Sequence, residues 1–116
     1  FIKKKINIAR LYFKYLKGIQ GIQLPYVNKN YLNVYWMFGI RSNNRDELML
    51  YLKSKGIATG CHYTPMTMQP LFKPYKNHCP VAESEYQRIM TLPFHADLTQ
   101  EEINYIININ YLSPIV

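Results

Sequence analysis

The segment Gly56-Ile57-Ala58-Thr59-Gly60-Cys61-His62-Tyr63-Thr64-Pro65 sets the architecture expected of this chain, because it reads as a helix end, a strand and a strand exit in turn. Gly56 can close a helix over residues 44–55, since glycine accepts the left-handed conformation on which helices commonly end. Residues 57–61 have the short apolar character of a buried strand, and Pro65, lacking an N–H, stops the ladder. His62 and Tyr63 therefore fall at a strand end, where a rigid scaffold presents functional side chains.

Upstream, Asn44 and Glu47 have the spacing of a capping box, and Leu48, Leu50, Tyr51 and Leu52 supply the face the helix should bury. Before it, residues 33–41 alternate Val34, Trp36, Phe38 and Ile40 against Tyr35, Met37 and Gly39, which predicts a central strand covered on both sides. Residues 21–31 hold Gly21, Pro25 and several Asn, the composition of an irregular connection. Residues 2–17 read as a helix with Ile8, Ala9, Tyr12, Tyr15 and Leu16 on its apolar side and Gly18 at its end.

Downstream, Pro70 and Pro74 exclude a regular helix or strand from residues 66–78, which should form a long loop folded over another part of the molecule. Pro80 suits the first position of a helix reaching about Met90, and Thr91-Leu92-Pro93 is a short strand that proline ends. Thr99 and Glu102 form a second capping box, opening a helix through Ile103, Ile106 and Ile107 towards Leu112 and Pro114. The interleaved order predicts one α/β (α+β) sandwich over residues 1–116, with a mostly antiparallel sheet of three to four strands packed on helices.

A chain of 116 residues that is 48% hydrophobic is long enough for one packed core and too short for two. It starts at Phe1 and has no run apolar enough to cross a bilayer, so the expectation is a cytoplasmic domain cut from a longer protein, without a membrane partner. Cys61 and Cys79 are accordingly expected as free thiols. The net charge of +7 is uneven: residues 1–45 carry nine Lys or Arg and no acid, a field that favours phosphates.

These residue types bear on three chemistries. Cys61-His62 and His78-Cys79 are zinc-ligand types, but neighbours on a strand point to opposite faces, so no metal ligand is assigned. Cys61 as a nucleophile with His62, His78 or His95 as its base is not assigned, because a thiol on a buried strand is ordinarily inert. The basic half and eleven tyrosines leave a nucleic-acid-binding or protein-interaction domain as the alternative reading, although no known nucleic-acid motif occurs.

One series of motifs runs through nearly the whole chain. It comprises Lys5-x-x-Ile8-Ala9-x-x-Tyr12-x-x-x-Leu16, Leu24-Pro25, Val34-Tyr35-Trp36 and Arg45-Asp46-x-Leu48-x-x-x-Leu52-x-x-x-Gly56-Ile57. It continues with His62-Tyr63-x-Pro65, Gln69-Pro70, Cys79-Pro80-Val81-Ala82-Glu83, Leu92-Pro93-x-His95 and Leu98-Thr99. In order and spacing this resembles the C-terminal domain of the DegT/DnrJ-type sugar aminotransferases, pyridoxal-phosphate enzymes of the aspartate-aminotransferase fold. The resemblance implies the small domain of a fold-type I transferase, with residues 1–18 as the helix connecting it to a preceding cofactor-binding domain. It implies transfer of an amino group from glutamate to a nucleotide-linked keto-sugar, in a full-length protein that forms a homodimer. The Schiff-base lysine and pyridoxal phosphate would belong to the preceding domain, leaving this fragment inactive alone, while His62 and Tyr63 would bind the sugar-nucleotide substrate.

Overall fold

Hydrophobic periodicity places six regular elements in the computed structural model, which describes residues 1–75 and 77–112. They are α1 (Ile2–Leu16), β1 (Phe38–Arg41), α2 (Arg45–Ser54), α3 (Pro80–Tyr86), β2 (Ile89–Leu92) and α4 (Gln100–Asn108), with two 3₁₀ helices, Met66–Met68 and Pro70–Tyr75, before α3. β1 and β2 pair antiparallel, Phe38 opposite Leu92 and Arg41 opposite Ile89. Gln23 makes one bridge to Arg41 on the outer side of β1, and Gly60 makes one to Thr91 on the outer side of β2. Where three to four strands were expected, two strands thus form the sheet and each is flanked by a single bridge.

The core lies between this sheet and the helices. Ile8, Ala9, Tyr12 and Leu16 of α1 meet Phe38, Ile40, Met90 and Leu92 of the sheet, Leu48 and Leu52 of α2, and Ile103, Ile106 and Ile107 of α4. Tyr12 is fully buried and donates from its hydroxyl to Pro93 O at 2.6 Å, and burial pushes its phenol pKa up, so the donor keeps its proton. Tyr15, expected on the apolar side of α1, is exposed and lies beside Lys14.

The departures from expectation have local causes. Residues 33–37 do not join β1, because Asn33 Oδ1 accepts from Tyr35 N at 3.1 Å and Tyr35 sits at φ +32°, a side-chain turn that takes the backbone out of the extended region. Asn44 does not cap α2 through its side chain; its own N–H is taken by Ser42 Oγ at 3.2 Å. Leu50 points to solvent and Arg45 takes its place on the buried face with Leu48 and Leu52.

Residues 57–61 form no strand, because helix closure takes the first of their donors. Ile57 N donates to Leu52 O at 2.9 Å and Gly56 N to Lys53 O at 3.0 Å, with Gly56 at φ +79°, the Schellman pair that ends α2. Only Gly60 is left to pair with Thr91. The prolines at 70 and 74 fit a 3₁₀ helix rather than a loop; neither 3₁₀ helix buries a residue, and the segment touches the rest of the fold through Thr67 Oγ1, which donates to Glu83 Oε1 at 2.7 Å. α3 ends at Tyr86, short of Met90. The Thr99–Glu102 capping box forms in full, but α4 stops at Asn108, where Tyr111 donates its hydroxyl to Ile106 O at 2.8 Å; Pro114 lies outside the described residues.

Candidate functional site

The backbone of β2 places His62. Gly60 and Thr91 exchange both backbone hydrogen bonds, at 2.8 and 3.2 Å, and fix the segment two residues before the imidazole. A Cβ at Gly60 would meet His62 Cε1 at 2.5 Å and Thr91 Oγ1 at 2.9 Å, so only glycine leaves room for the ring against the sheet. His62 Nδ1 then lies 3.3 Å from Thr91 Oγ1, which leaves Nε2 to meet a ligand. The His62–Tyr63 peptide bond is cis.

Two further rings complete the site. Tyr63 meets His62 edge to face at 4.9 Å, and Trp36 lies 6.4 Å from each, stacked on Tyr63 and edge-on to His62. Trp36 and Tyr63 are 66% and 65% exposed, so most of their surface is free for contact. The Asn33–Tyr35 turn that ends strand pairing is what turns Trp36 towards His62 and not into a ladder. Lys5 reaches the same region from α1, donating to Trp36 O at 3.3 Å while its ammonium lies over the Phe94 ring. The alternation of residues 33–41 hid Trp36 as a site residue, because it read as a strand position.

The other chemistry-bearing residues are not gathered here. Cys61 points to the opposite side, where Arg45 Nη1 donates to its sulfur at 3.1 Å, as well as to Tyr86 O at 2.8 Å and Ile89 O at 2.9 Å. Cys79 precedes α3 in an exposed position, His78 and His95 are exposed, and both thiols are free. Among the described residues no three His, Cys, Asp or Glu side chains stand where one metal ion could join them. Arg45 is the polar residue that sequence reading undervalued; a base three residues before Leu48 on a helix face was the available signal.

The chain is 32% identical over 101 residues to the UDP-2-acetamido-2-deoxy-3-oxo-D-glucuronate aminotransferase of Pseudomonas aeruginosa, covering 86% of this chain and 28% of that protein. It is 35% identical over 97 residues to the UDP-N-acetyl-3-dehydro-alpha-D-glucosamine 3-aminotransferase of Acidithiobacillus ferrooxidans, covering 82% of this chain and 26% of that one. The crystal structure of a DegT DnrJ EryC1 StrS aminotransferase from Brucella abortus superposes with a TM-score of 0.80 at 30% identity, over 91% of this chain and 29% of the other. The chain therefore spans less than a third of the length of these relatives. A family profile for the DegT/DnrJ/EryC1/StrS aminotransferases matches residues 1–110, and with so much of its length matched the chain belongs to that family.

Proposed function

We propose that this chain is the C-terminal small domain of a pyridoxal-phosphate-dependent aminotransferase that moves an amino group from glutamate to a nucleotide-linked keto-sugar. His62 and Tyr63 contact the sugar-nucleotide substrate, and α1 is the connection to the preceding domain. The observation that carries this reading is the anchored, half-buried His62 with the exposed rings of Trp36 and Tyr63 beside it, in a chain of this family. Aromatic faces suit the C–H face of a sugar or a base, and the imidazole and phenol supply directed hydrogen bonds to hydroxyls. The relatives named above as aminotransferases of UDP-linked sugars support the substrate class.

Pyridoxal phosphate supplies the electron sink for transamination, and a site for it needs a lysine amine, donors for a phosphate and an acid facing the ring nitrogen. The described residues around His62 do not fit that set. Its partners are Thr91, Trp36 and Tyr63, and the nearby Lys5 is engaged with a backbone carbonyl and the Phe94 ring. No step is assigned here to the cofactor, which on this reading is held by another part of the enzyme. The isolated chain mixed with pyridoxal phosphate is accordingly expected to show no absorbance band that borohydride fixes to a lysine. A stoichiometric reduced adduct at one lysine would end this reading.

In the complete enzyme His62→Ala is expected to raise the KM for the sugar nucleotide by about tenfold, the worth of one hydrogen bond to a charged or strongly polar partner. Cofactor binding and Tm should stay near the parent values, because the imidazole leans on one partly buried hydroxyl and leaves no buried charge behind. A variant that melts early yet keeps its kinetic constants would show the histidine to be scaffold.

A further inference from the structure

A polar cleft lies at the C-terminal end of β1, where Gln23 bridges to Arg41 and the chain turns into α2. Its volume is about 230 Å³, and Arg41, Ser42, Asn43 and Arg88 line it with the turn at Gly21. At about 30 Å³ per water, that is room for a tetrahedral oxyanion with a few waters.

The charges here do not balance. Glu85 stands between two guanidinium groups, its Oε1 accepting from Arg88 Nη1 at 3.1 Å and its Oε2 lying 2.5 Å from Arg41 Nε as an ion pair without hydrogen-bond alignment. Two cations share one carboxylate, so the cluster keeps a positive charge. Arg88 spends Nη2 on Gln23 Oε1 at 3.0 Å, while its Nε is buried with no hydrogen-bond partner among the described residues. A buried donor without a partner in a polar cleft is what an unoccupied ligand position leaves behind.

Ser42 is the second, independent sign. It is 2% exposed, and its Oγ accepts from Asn44 N, which leaves its hydroxyl proton without an acceptor among the described residues. Its backbone N–H is already used on Arg88 O at 2.8 Å, so the hydroxyl is the donor left for the cleft. We propose that Arg41, Ser42 and Arg88 form a binding site for a small oxyanion, a phosphate or carboxylate group. Guanidinium forks match either group in a bidentate manner. The site shares no residue with the sugar-nucleotide reading of His62 and Tyr63, although Arg41 also lines a neighbouring cleft with Trp36.

The test is a titration of the ¹⁵N-labelled chain at constant ionic strength with inorganic phosphate, acetate and uridine 5′-diphosphate in turn. The expected result is saturable shifts of the amides of residues 21–23 and 41–44 and of the Arg88 Nε–H signal. Tighter saturation by phosphate and the diphosphate identifies a phosphate ligand, and tighter saturation by acetate identifies a carboxylate. Arg88→Lys keeps the charge beside Glu85 but removes Nε, and is expected to weaken binding about tenfold, the value of one charge-assisted hydrogen bond. Lys17→Gln, which removes a positive charge at the C-cap of α1 and outside the cleft, should leave the affinity unchanged. Shifts that grow linearly with every anion without saturating, or an Arg88→Lys chain that binds as the parent does, would overturn the site.

Discussion

Phe38→Ala is expected to destabilise the chain by about 3 to 5 kcal/mol and to lower its Tm by roughly 15 °C or more. Phe38 is fully buried at the start of β1 and is the ring on which four others converge. Tyr12 and Phe13 of α1 meet it edge-on at 5.0 and 5.2 Å, and Tyr35 and Phe94 lie 6.3 and 6.1 Å away. Truncation removes the shared face of those rings, and the cavity lies between a helix and the only two-stranded ladder among the described residues, neither of which can collapse freely. Urea unfolding of the two chains side by side measures the loss. A cost near 1 kcal/mol would mean that the aromatic cluster closes over the gap and that α1 is not pinned by this ring. Phe38→Leu should recover most of the stability, since it restores volume without the edge-to-face geometry.

Arg45→Met is expected to cost about 2 to 4 kcal/mol, although it keeps most of the aliphatic volume. The side chain is largely buried, and one nitrogen serves Tyr86 O at the end of α3 and Ile89 O at the start of β2. Its Nε donates to Asp46 Oδ1 at 2.6 Å. Burial opposes the charge on the guanidinium, and the bond to Asp46 together with the neighbouring Cys61 sulfur more than offsets it, so its pKa is raised. With methionine in place, both carbonyls lose the guanidinium donor inside the fold and keep only the long, weak contacts of the Cys61 thiol. Arg45→Lys should recover less than half of the loss, because a point charge cannot span two carbonyls, an acid and a sulfur at once. Full rescue by lysine in chemical denaturation would show that charge alone matters here and that the fork geometry does not.

What the sequence displayed and what it concealed divide along physical lines. The helices were visible because their signals are local: Ile8, Ala9, Tyr12 and Leu16 recur at helical spacing, and Thr99 and Glu102 satisfy each other within one turn. Strand limits were not, because a ladder depends on a distant partner's free groups. Ile57 looked like a strand residue, yet its N–H is spent on Leu52, and Trp36 looked like one until Asn33 bent the chain. Pro65 suggested a strand end at His62, but only the single Gly60 bridge precedes it, and Gly60 became intelligible only when the ring was seen packed where a Cβ would be. Arg45 and Arg88 gave no local sign of their partners, since Tyr86, Ile89 and Gln23 lie 41, 44 and 65 residues away from them.

The single bridge between Gly60 and Thr91 has a kinetic meaning. Amides inside the β1–β2 ladder exchange with solvent only when the whole fold opens, whereas the Gly60 N–H is released by breaking two bonds. The imidazole of His62 rides on that latch, two residues away. Its segment opens and closes many times for each global unfolding event, so a ligand that engages His62 slows deuterium uptake at Gly60 while leaving Phe38 and Ile40 on their original clock.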